Sequence, residues 1–238
     1  MHRISVSGMQ VDVVRKDIKN LHLGVYPPEG RVRVAAPLRV DDEAVRLAVI
    51  TKLPWIKRQQ TRFRSQERQS PRDYTYRETH YFLGKRYLLN VIEHAGPPRV
   101  EISNKARIDL YLPAGSDAGR REQVMLRWYR KELKALIGPL VDTWQETLGV
   151  TVDDWGVKKM KTKWGSCNIE ARRIWLNLEL AKKPIRCIEY VVVHEMVHLL
   201  ERNHTDRFRE LMDRFMPQWR HYRDMLNQAP LSHETWCY

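Results

Sequence analysis

The stretch YVVVHEMVHLLERNHTDRF, residues 190–208, contains three histidines within an apolar and basic run. His194 and His198 are four residues apart and enclose Glu195, in the pattern His-Glu-x-x-His. On a helix, residues four apart lie on the same face one turn apart, so both imidazoles can reach one point. This geometry suits tetrahedral Zn²⁺, whose bonds to histidine nitrogen are about 2.0–2.1 Å long. Glu195 would then lie beside the metal rather than on it, where its carboxylate can take a proton from water.

The alternative is that these histidines are ordinary residues of a buried helix. The residues between Val191 and Leu200 are apolar on nearly every side of the predicted helix, which indicates that the helix is buried. Two imidazoles and a carboxylate are costly in such a segment unless something compensates them. A bound metal ion would do so, and we therefore favour a metal site.

His204 is the expected third ligand, six residues after His198. Asn203 can end the helix in a left-handed conformation, and the reversed chain would then bring His204 back towards the site. Three protein ligands leave a fourth position open for water, as a catalytic zinc requires. Glu201 and Glu210 are the competing third ligands.

The charge balance is unusual, with 42 Lys and Arg against 29 Asp and Glu, a formal net charge of +13 and a pI near 9.8. Such a balance favours polyanionic partners, including nucleic acids, nucleotides and acidic substrates. The strongest basic clusters are KRQQTRFRSQER (57–68) and KKMKTK (158–163). They also fit the solvated faces of a basic protein without such a partner.

The cysteine count and the hydropathy of the chain indicate its compartment. Cys167, Cys187 and Cys237 are widely spaced and form no Cys-x-x-Cys pair, which favours a reducing environment. The first residues, MHRISVSGMQVDVV, have no apolar core typical of a signal peptide, and no apolar run approaches the length needed to cross a bilayer. We expect a cytoplasmic protein that does not insert into membranes. Its oligomeric state is left open.

Several motifs together resemble one known family. They are MKTKWGSC (160–167), RIWLNLEL (173–180), the histidine stretch itself and MPQW (216–219), with VRKDIKNLHLGV (14–25) and PWI (54–56) nearer the N-terminus. The chain is similar in these motifs to the YgjP-like metallopeptidases of the zincin superfamily, along nearly all its length. The resemblance implies a zinc-dependent hydrolase, with His194, His198 and His204 as ligands and Glu195 as general base. The histidine spacing equals that of metzincins, but Glu201 replaces their glycine.

The expected fold class is α+β. The first half shows period-two stretches and turn residues, which predicts a β-rich N-terminal region with one helix over residues 1–117. Residues 118–238 are predicted to form a zincin-like metallohydrolase domain, with a mixed sheet edge and the His-Glu-x-x-His active-site helix. Helical spacing extends from 120 to 148, although Gly138 and Pro139 should bend or divide that helix. No internal repeat is evident.

The KWGSC stretch is expected to face the active-site helix, as the resemblance implies. Trp164 would supply a flat apolar wall, Gly165 permits close backbone approach, and Ser166 is small and polar. With Lys163 and Asn177 they are the candidate substrate contacts; the alternative is a tight strand and turn packed beneath the helix. Cys167 is not expected to act as a nucleophile, because metal-activated water makes a thiolate unnecessary. The alternating segment 173–180 is predicted to be a strand that could pair with an extended substrate.

Three functions remain open on sequence grounds. The first is a zinc metallopeptidase. The second is a nucleoside triphosphate pyrophosphatase of the UTP type with the same metal site, which would bind phosphates through Lys, Arg and metal because no P-loop is present. The third is a protease recruited to nucleic-acid-bound proteins, or a non-enzymatic nucleic-acid binder with a structural zinc. The sequence assigns no second oxyanion stabiliser, although His221 and Tyr222 are available.

Overall fold

The computed structural model describes residues 1–26, 30–65, 73–160 and 163–228. These residues form a mixed arrangement of helices and several sheets, which confirms the predicted α+β class. The chain forms two compact units, the first within residues 1–70 and the second within residues 71–229. The boundary expected from the sequence at residue 117 lies inside the second unit.

The first unit is a four-stranded sheet with two helices on a small valine-rich core. Its sheet has the order β1-β2-β4-β3. Val11, Val13, Val32 and Val34 are fully buried in the sheet and meet Val49 of the first helix. The elements are β1 (His2–Val6), β2 (Met9–Lys16), β3 (His22–Tyr26), β4 (Arg31–Pro37), α1 (Asp42–Thr51) and α2 (Leu53–Ser65).

The second unit begins with another four-stranded sheet, of order β5-β6-β8-β7. One face of this sheet packs on the long helix α3 through Leu89, Leu110, Met125 and Leu133. Its elements are β5 (Thr79–Phe82), β6 (Lys85–Glu93), β7 (Arg99–Ser103), a 3-10 helix (Asn104–Ala106), β8 (Arg107–Leu112) and α3 (Ala118–Leu148).

The two four-stranded sheets have the same topology, so the expectation of no internal repeat is wrong at the level of structure. In each sheet the two central strands are parallel and each edge strand is antiparallel to its neighbour. Gly8 and Gly84 occupy equivalent turns with φ of 75° and 79°. Asp41 and Asp117 each cap the helix that follows the last strand, and both pairs have the same separation in the sequence. The repeat is in topology rather than in residue type.

Helix α3 is continuous, so Gly138 and Pro139, which were expected to bend or divide it, do not divide it. Pro139 lies inside the helix, where it removes one backbone donor and is unfavourable by roughly 3 kcal/mol. Ile137 and Val141 are buried on either side of it. We attribute the continuity to this packing, since burial of two aliphatic side chains offsets a cost of that size.

The remaining elements of the second unit surround a three-stranded sheet of order β10-β11-β9. Strand β11 pairs parallel with β9 and antiparallel with β10, so this sheet is mixed. The elements are β9 (Asp154–Lys158), β10 (Gly165–Asn168), β11 (Arg173–Asn177), a 3-10 helix (Leu178–Lys182), α4 (Ile185–Val197), α5 (Asp206–Phe215) and α6 (Trp219–Gln228). Within the described ranges, no helix combines the length and apolarity that a membrane span needs.

Candidate metal centre

Helix α4 carries the first two histidines of the centre at its C-terminal end. The helix ends at Val197, six residues before Asn203, and His198 is its C-cap with right-handed φ and ψ of −63° and −18°. The chain then turns through tighter bonds, from Leu199 N–H to the Met196 carbonyl and from Leu200 N–H to the Val197 carbonyl. The predicted left-handed helix end at Asn203 is therefore wrong. These turns reverse the chain instead.

The structure brings His194, His198 and His204 together. One side-chain nitrogen from each lies within 4.8 Å of the other two. The Nε2 atoms of His194 and His204 are 3.0 Å apart. Nitrogens that share a tetrahedral zinc at about 2.0–2.1 Å lie roughly 3.3 Å from one another. Neither of the competing glutamates, Glu201 or Glu210, belongs to this cluster.

The lowered pKa values of His194 and His198 fit a cation held between the rings. Burial, followed by the charges of His198 and His204, lowers the pKa of His194 to about 3, so its ring is neutral at pH 7. Burial also lowers the pKa of His198. Neutral imidazole is the form that binds metals. Two facing ring nitrogens at 3.0 Å need a proton or a metal ion between them.

The surroundings of the Nδ1 atoms of His198 and His194 show which ring nitrogens remain available to bind a metal. The Nδ1 of His198 donates to the carbonyl of Glu201 at 3.2 Å, which orients its Nε2 towards the cluster. The Nδ1 of His194 is buried and has no hydrogen-bond partner in the part of the chain that the structure describes. Phe208 of α5 packs against all three rings, with ring centroids 4.8–5.0 Å away. The three rings are thus held by one aromatic side chain and one backbone bond.

Glu195 is buried beside the histidines and lies against the backbone of Gly165. A Cβ added at Gly165 would be 2.6 Å from both Cγ and Oε1 of Glu195. Only glycine therefore allows this approach of strand and carboxylate. Burial raises the pKa of Glu195 to about 8, and the positive charge of Lys163 opposes the rise.

Strand β10 forms one wall of a cavity of about 1020 Å³ that contains the histidines and Glu195. All of its residues, Gly165–Asn168, line the cavity. Among the described residues the strand pairs with β11 alone and is an edge of its sheet, whereas β11 lies in the centre. The predicted strand 173–180 is wrong in two respects: it ends at Asn177, and it has no free edge for a substrate. β10 has that free edge.

The candidate substrate contacts in the KWGSC stretch lie in this cavity. Lys163, Trp164, Gly165 and Ser166 all line it. Cys167 also lines it but does not belong to the histidine cluster. Burial, followed by the charge of Glu195, raises the pKa of the Cys167 thiol to about 11, which keeps it protonated at neutral pH.

Asn177 does not line the cavity. Its side chain is buried, and its amide nitrogen donates to the carbonyls of Met160 and Lys163 at 2.9 and 2.8 Å. Its oxygen accepts from the backbone N–H groups of Met160 and Glu179. With its hydrogen-bonding capacity used in this way, Asn177 holds the chain on both sides of residues 161–162 rather than a substrate.

Tyr190 and Arg223 are among the cavity residues that were not found from the sequence. Tyr190 lies one turn before His194 on α4, with its ring centroid 5.7 Å from that of His194. Its other neighbour is Trp219 of α6, which stacks on it at an interplanar angle of 11°. Tyr190 could have been found from the sequence, because it lies one helical turn before the first histidine of the motif. No local sequence pattern pointed to Arg223. His221 and Tyr222, which were available as oxyanion stabilisers but not assigned that role, are not among the residues that line the cavity.

A metallopeptidase-type hydrolase is the class that this fold and site define, and a family comparison supports it. Residues 19–229 match the model of the YgjP-like, metallopeptidase domain family, and the chain therefore belongs to that family, as its motifs predict. Among solved structures, the metallopeptidase zymogen of Methanocaldococcus jannaschii jannalysin is similar at 18% identity and a TM-score of 0.36. That match covers 39% of this chain and 88% of that one. No functionally curated protein matches the chain.

Proposed function

We propose that this chain is a zinc metallopeptidase in which Glu195 is the general base and His194, His198 and His204 hold the metal. The observation that carries the proposal is the meeting of three imidazoles with the buried Glu195 at the wall of one open cavity. Three protein nitrogens leave a coordination position free, which suits a catalytic rather than a structural site. A zinc ion held there supplies Lewis acidity and lowers the pKa of a water molecule that it binds.

Glu195 supplies the proton transfers of the proposed reaction. In its ionised form, which a cation at the three histidines would favour against the effect of burial, the carboxylate accepts the proton of the attacking water and later gives it to the leaving amine. Glu195 contacts Gly165 on one side and belongs to a buried helix on the other. Both features restrict the positions that its carboxylate oxygens can take. A general base that is already fixed in position does not have to be oriented during the reaction, so the entropic cost of orienting it is avoided.

The free edge of β10 is the proposed guide for the substrate backbone. An extended peptide can add to an exposed sheet edge through main-chain hydrogen bonds, while side-chain pockets supply specificity. Gly165 at the start of β10 lies against Glu195, so a peptide on this edge passes beside the base. This arrangement favours a peptide over a compact substrate.

The direct test is hydrolysis of a quenched-fluorescent peptide library by zinc-loaded protein and its E195Q variant. We expect E195Q to retain zinc and to lose at least about a thousandfold in kcat, within the range that loss of a general base produces. The E210Q variant is the matched control, because it makes the same chemical change at an exposed glutamate, and it should keep full activity. Equal turnover by wild type and E195Q would refute the role of Glu195.

Hydrolysis of nucleoside triphosphates is the second candidate, because Lys163, Arg202 and Arg223 line the same cavity. These side chains could hold phosphates without a glycine-rich loop. The same preparations should therefore be assayed for pyrophosphate release from nucleotides. Release that disappears in E195Q, without cleavage of any peptide, would favour this second function.

A further inference from the structure

The cavity around the histidines has an excess of cationic side chains. Lys163, Arg202 and Arg223 line it, against the carboxylates of Glu170 and Glu195. Glu195 is buried and belongs to the proposed chemistry, so Glu170 is the one carboxylate that the described lining offers to solvent. A cleft with this balance attracts anionic ligands.

Lys163 and Arg202 differ from Arg223 in their partners. Arg223 donates to Asp224 at 3.0 Å. No carboxylate within the described ranges forms an ion pair with Lys163 or Arg202, and both side chains are exposed at the cavity. A ligand carboxylate can therefore approach them without displacing an existing partner.

Both cations lie at the end of α4 that holds His198. Lys163 lies two residues before Gly165, which contacts Glu195. The backbone of Lys163 is held by the 2.8 Å bond that the Asn177 amide nitrogen donates to its carbonyl. Arg202 follows His198 in the turn that leads to the third histidine. The two positive charges thus flank one side of the reaction centre.

We propose that Lys163 and Arg202 bind a carboxylate on the C-terminal side of the scissile bond, so that the preferred substrates are acidic peptides. This inference rests on the proposed peptidase function. Because Gly165 lies against Glu195, the scissile bond belongs beside Gly165. An extended chain that pairs antiparallel with β10 then directs its following residues towards Lys163. Glu170, just beyond the other end of β10, disfavours an acidic residue there.

The test compares two quenched-fluorescent peptides that differ only by Glu or Gln at the two positions after the scissile bond. Zinc-loaded wild type should show a kcat/KM for the Glu peptide about 3- to 10-fold above that for the Gln peptide, the size of one or two exposed charge contacts. This ratio should fall as salt is raised. It should approach one in K163Q/R202Q and drop below one in K163E/R202E.

The K57Q/R58Q variant is the matched control, since it removes two exposed cations of α2 and should keep the wild-type ratio. A wild-type ratio of one, or an unchanged ratio in K163Q/R202Q, would overturn the inference while peptide cleavage itself upholds the peptidase. Failure to cleave either peptide, with E195Q-sensitive hydrolysis of nucleotides, would instead overturn the proposed function together with this inference.

Discussion

Gly165 and Glu195 are in contact across the wall of the cavity, and the contact leaves no room for a side chain on the strand. A methyl group at Gly165 would lie only 2.6 Å from the nearest carboxylate oxygen of Glu195. The glutamate is buried, so it cannot move away without losing its place beside the histidines. The glycine of the WGSC motif is thus a positioning residue for the proposed base.

The G165A variant should therefore lose activity with little loss of metal. The added methyl must displace Glu195 by several tenths of an ångström or more, and misplacement of a catalytic group by about 1 Å can cost roughly a hundredfold in rate. We expect kcat to fall by about that factor, with zinc content close to that of wild type, as measured by steady-state kinetics and elemental analysis.

G138A is the matched control for this substitution. Beyond the backbone of its own helix, a Cβ at Gly138 would first meet a ring carbon of Trp155, at an ordinary 3.8 Å. Alanine is also favoured over glycine inside a helix by roughly 0.5–1 kcal/mol. G138A should thus be fully active and slightly more stable. Wild-type kcat in G165A would contradict the positioning role.

A second prediction concerns Lys183, which is buried next to the site. Burial lowers its pKa from 10.5 to about 8, although Glu179 opposes the shift, and its ammonium lies 5.4 Å from the ring centre of Trp164. Between pH 8 and 10.5 the unfolded chain holds more protons than the folded one, so stability rises with pH there. The cost of the buried charge, about 3 kcal/mol, is present below pH 8. K183M should be more stable than wild type at pH 7, and the difference should shrink by about pH 10.

The neighbouring Lys182 gives the contrasting control. It forms a partly buried ion pair with Glu179 at 2.7 Å, and the charge of Lys182 lowers the pKa of that otherwise desolvated carboxyl. K182M should lower the free energy of unfolding by about 1–3 kcal/mol, because a partly buried carboxylate loses its partner. Urea unfolding at pH 7 and pH 10 measures both effects. A K183M variant less stable than wild type at pH 7 would refute the claim that the buried charge of Lys183 destabilises the fold.

A third prediction follows from the four hydrogen bonds of the Asn177 side chain. N177A leaves the carbonyls of Met160 and Lys163 without their donor, which should lower the free energy of unfolding by about 1–3 kcal/mol. Because Asn177 lies outside the cavity, N177A should lower the free energy of unfolding more clearly than it lowers kcat. The substitution Gln123→Ala in α3 should change stability by less than about 0.5 kcal/mol. An N177A protein as stable as wild type would contradict the structural role of Asn177.

The parts of the structure that could be predicted from the sequence depend on local spacing. The histidine motif on α4 and the helical spacing of α3 follow from residues a few positions apart, which a helical period relates directly. The predicted end of α4 is wrong because tight turns after His198 compete with a left-handed cap, and nothing local distinguishes them. The predicted strand 173–180 is too long because alternation continues after Asn177, whereas the Asn177 side chain caps a 3-10 helix.

The features that were missed depend on contacts between distant segments. Gly165 and Glu195 are thirty residues apart in the sequence, and the need for glycine arises only when strand and helix meet. The repeated sheet topology was hidden for a similar reason. Val11 and Val34 occupy positions in the first sheet that are equivalent to those of Tyr87 and Leu110 in the second. All four side chains are buried, but the residue types differ between the two sheets.

The most direct measurement for the central claim is the metal content of purified protein, determined by elemental analysis after dialysis. Wild type should hold about one zinc per chain, and H198A should hold less than about a tenth of that. H22A, which removes an exposed histidine of β3, should match wild type. Zinc retained by H198A at the wild-type level, or none bound by wild type after zinc is supplied, would contradict the three-histidine site.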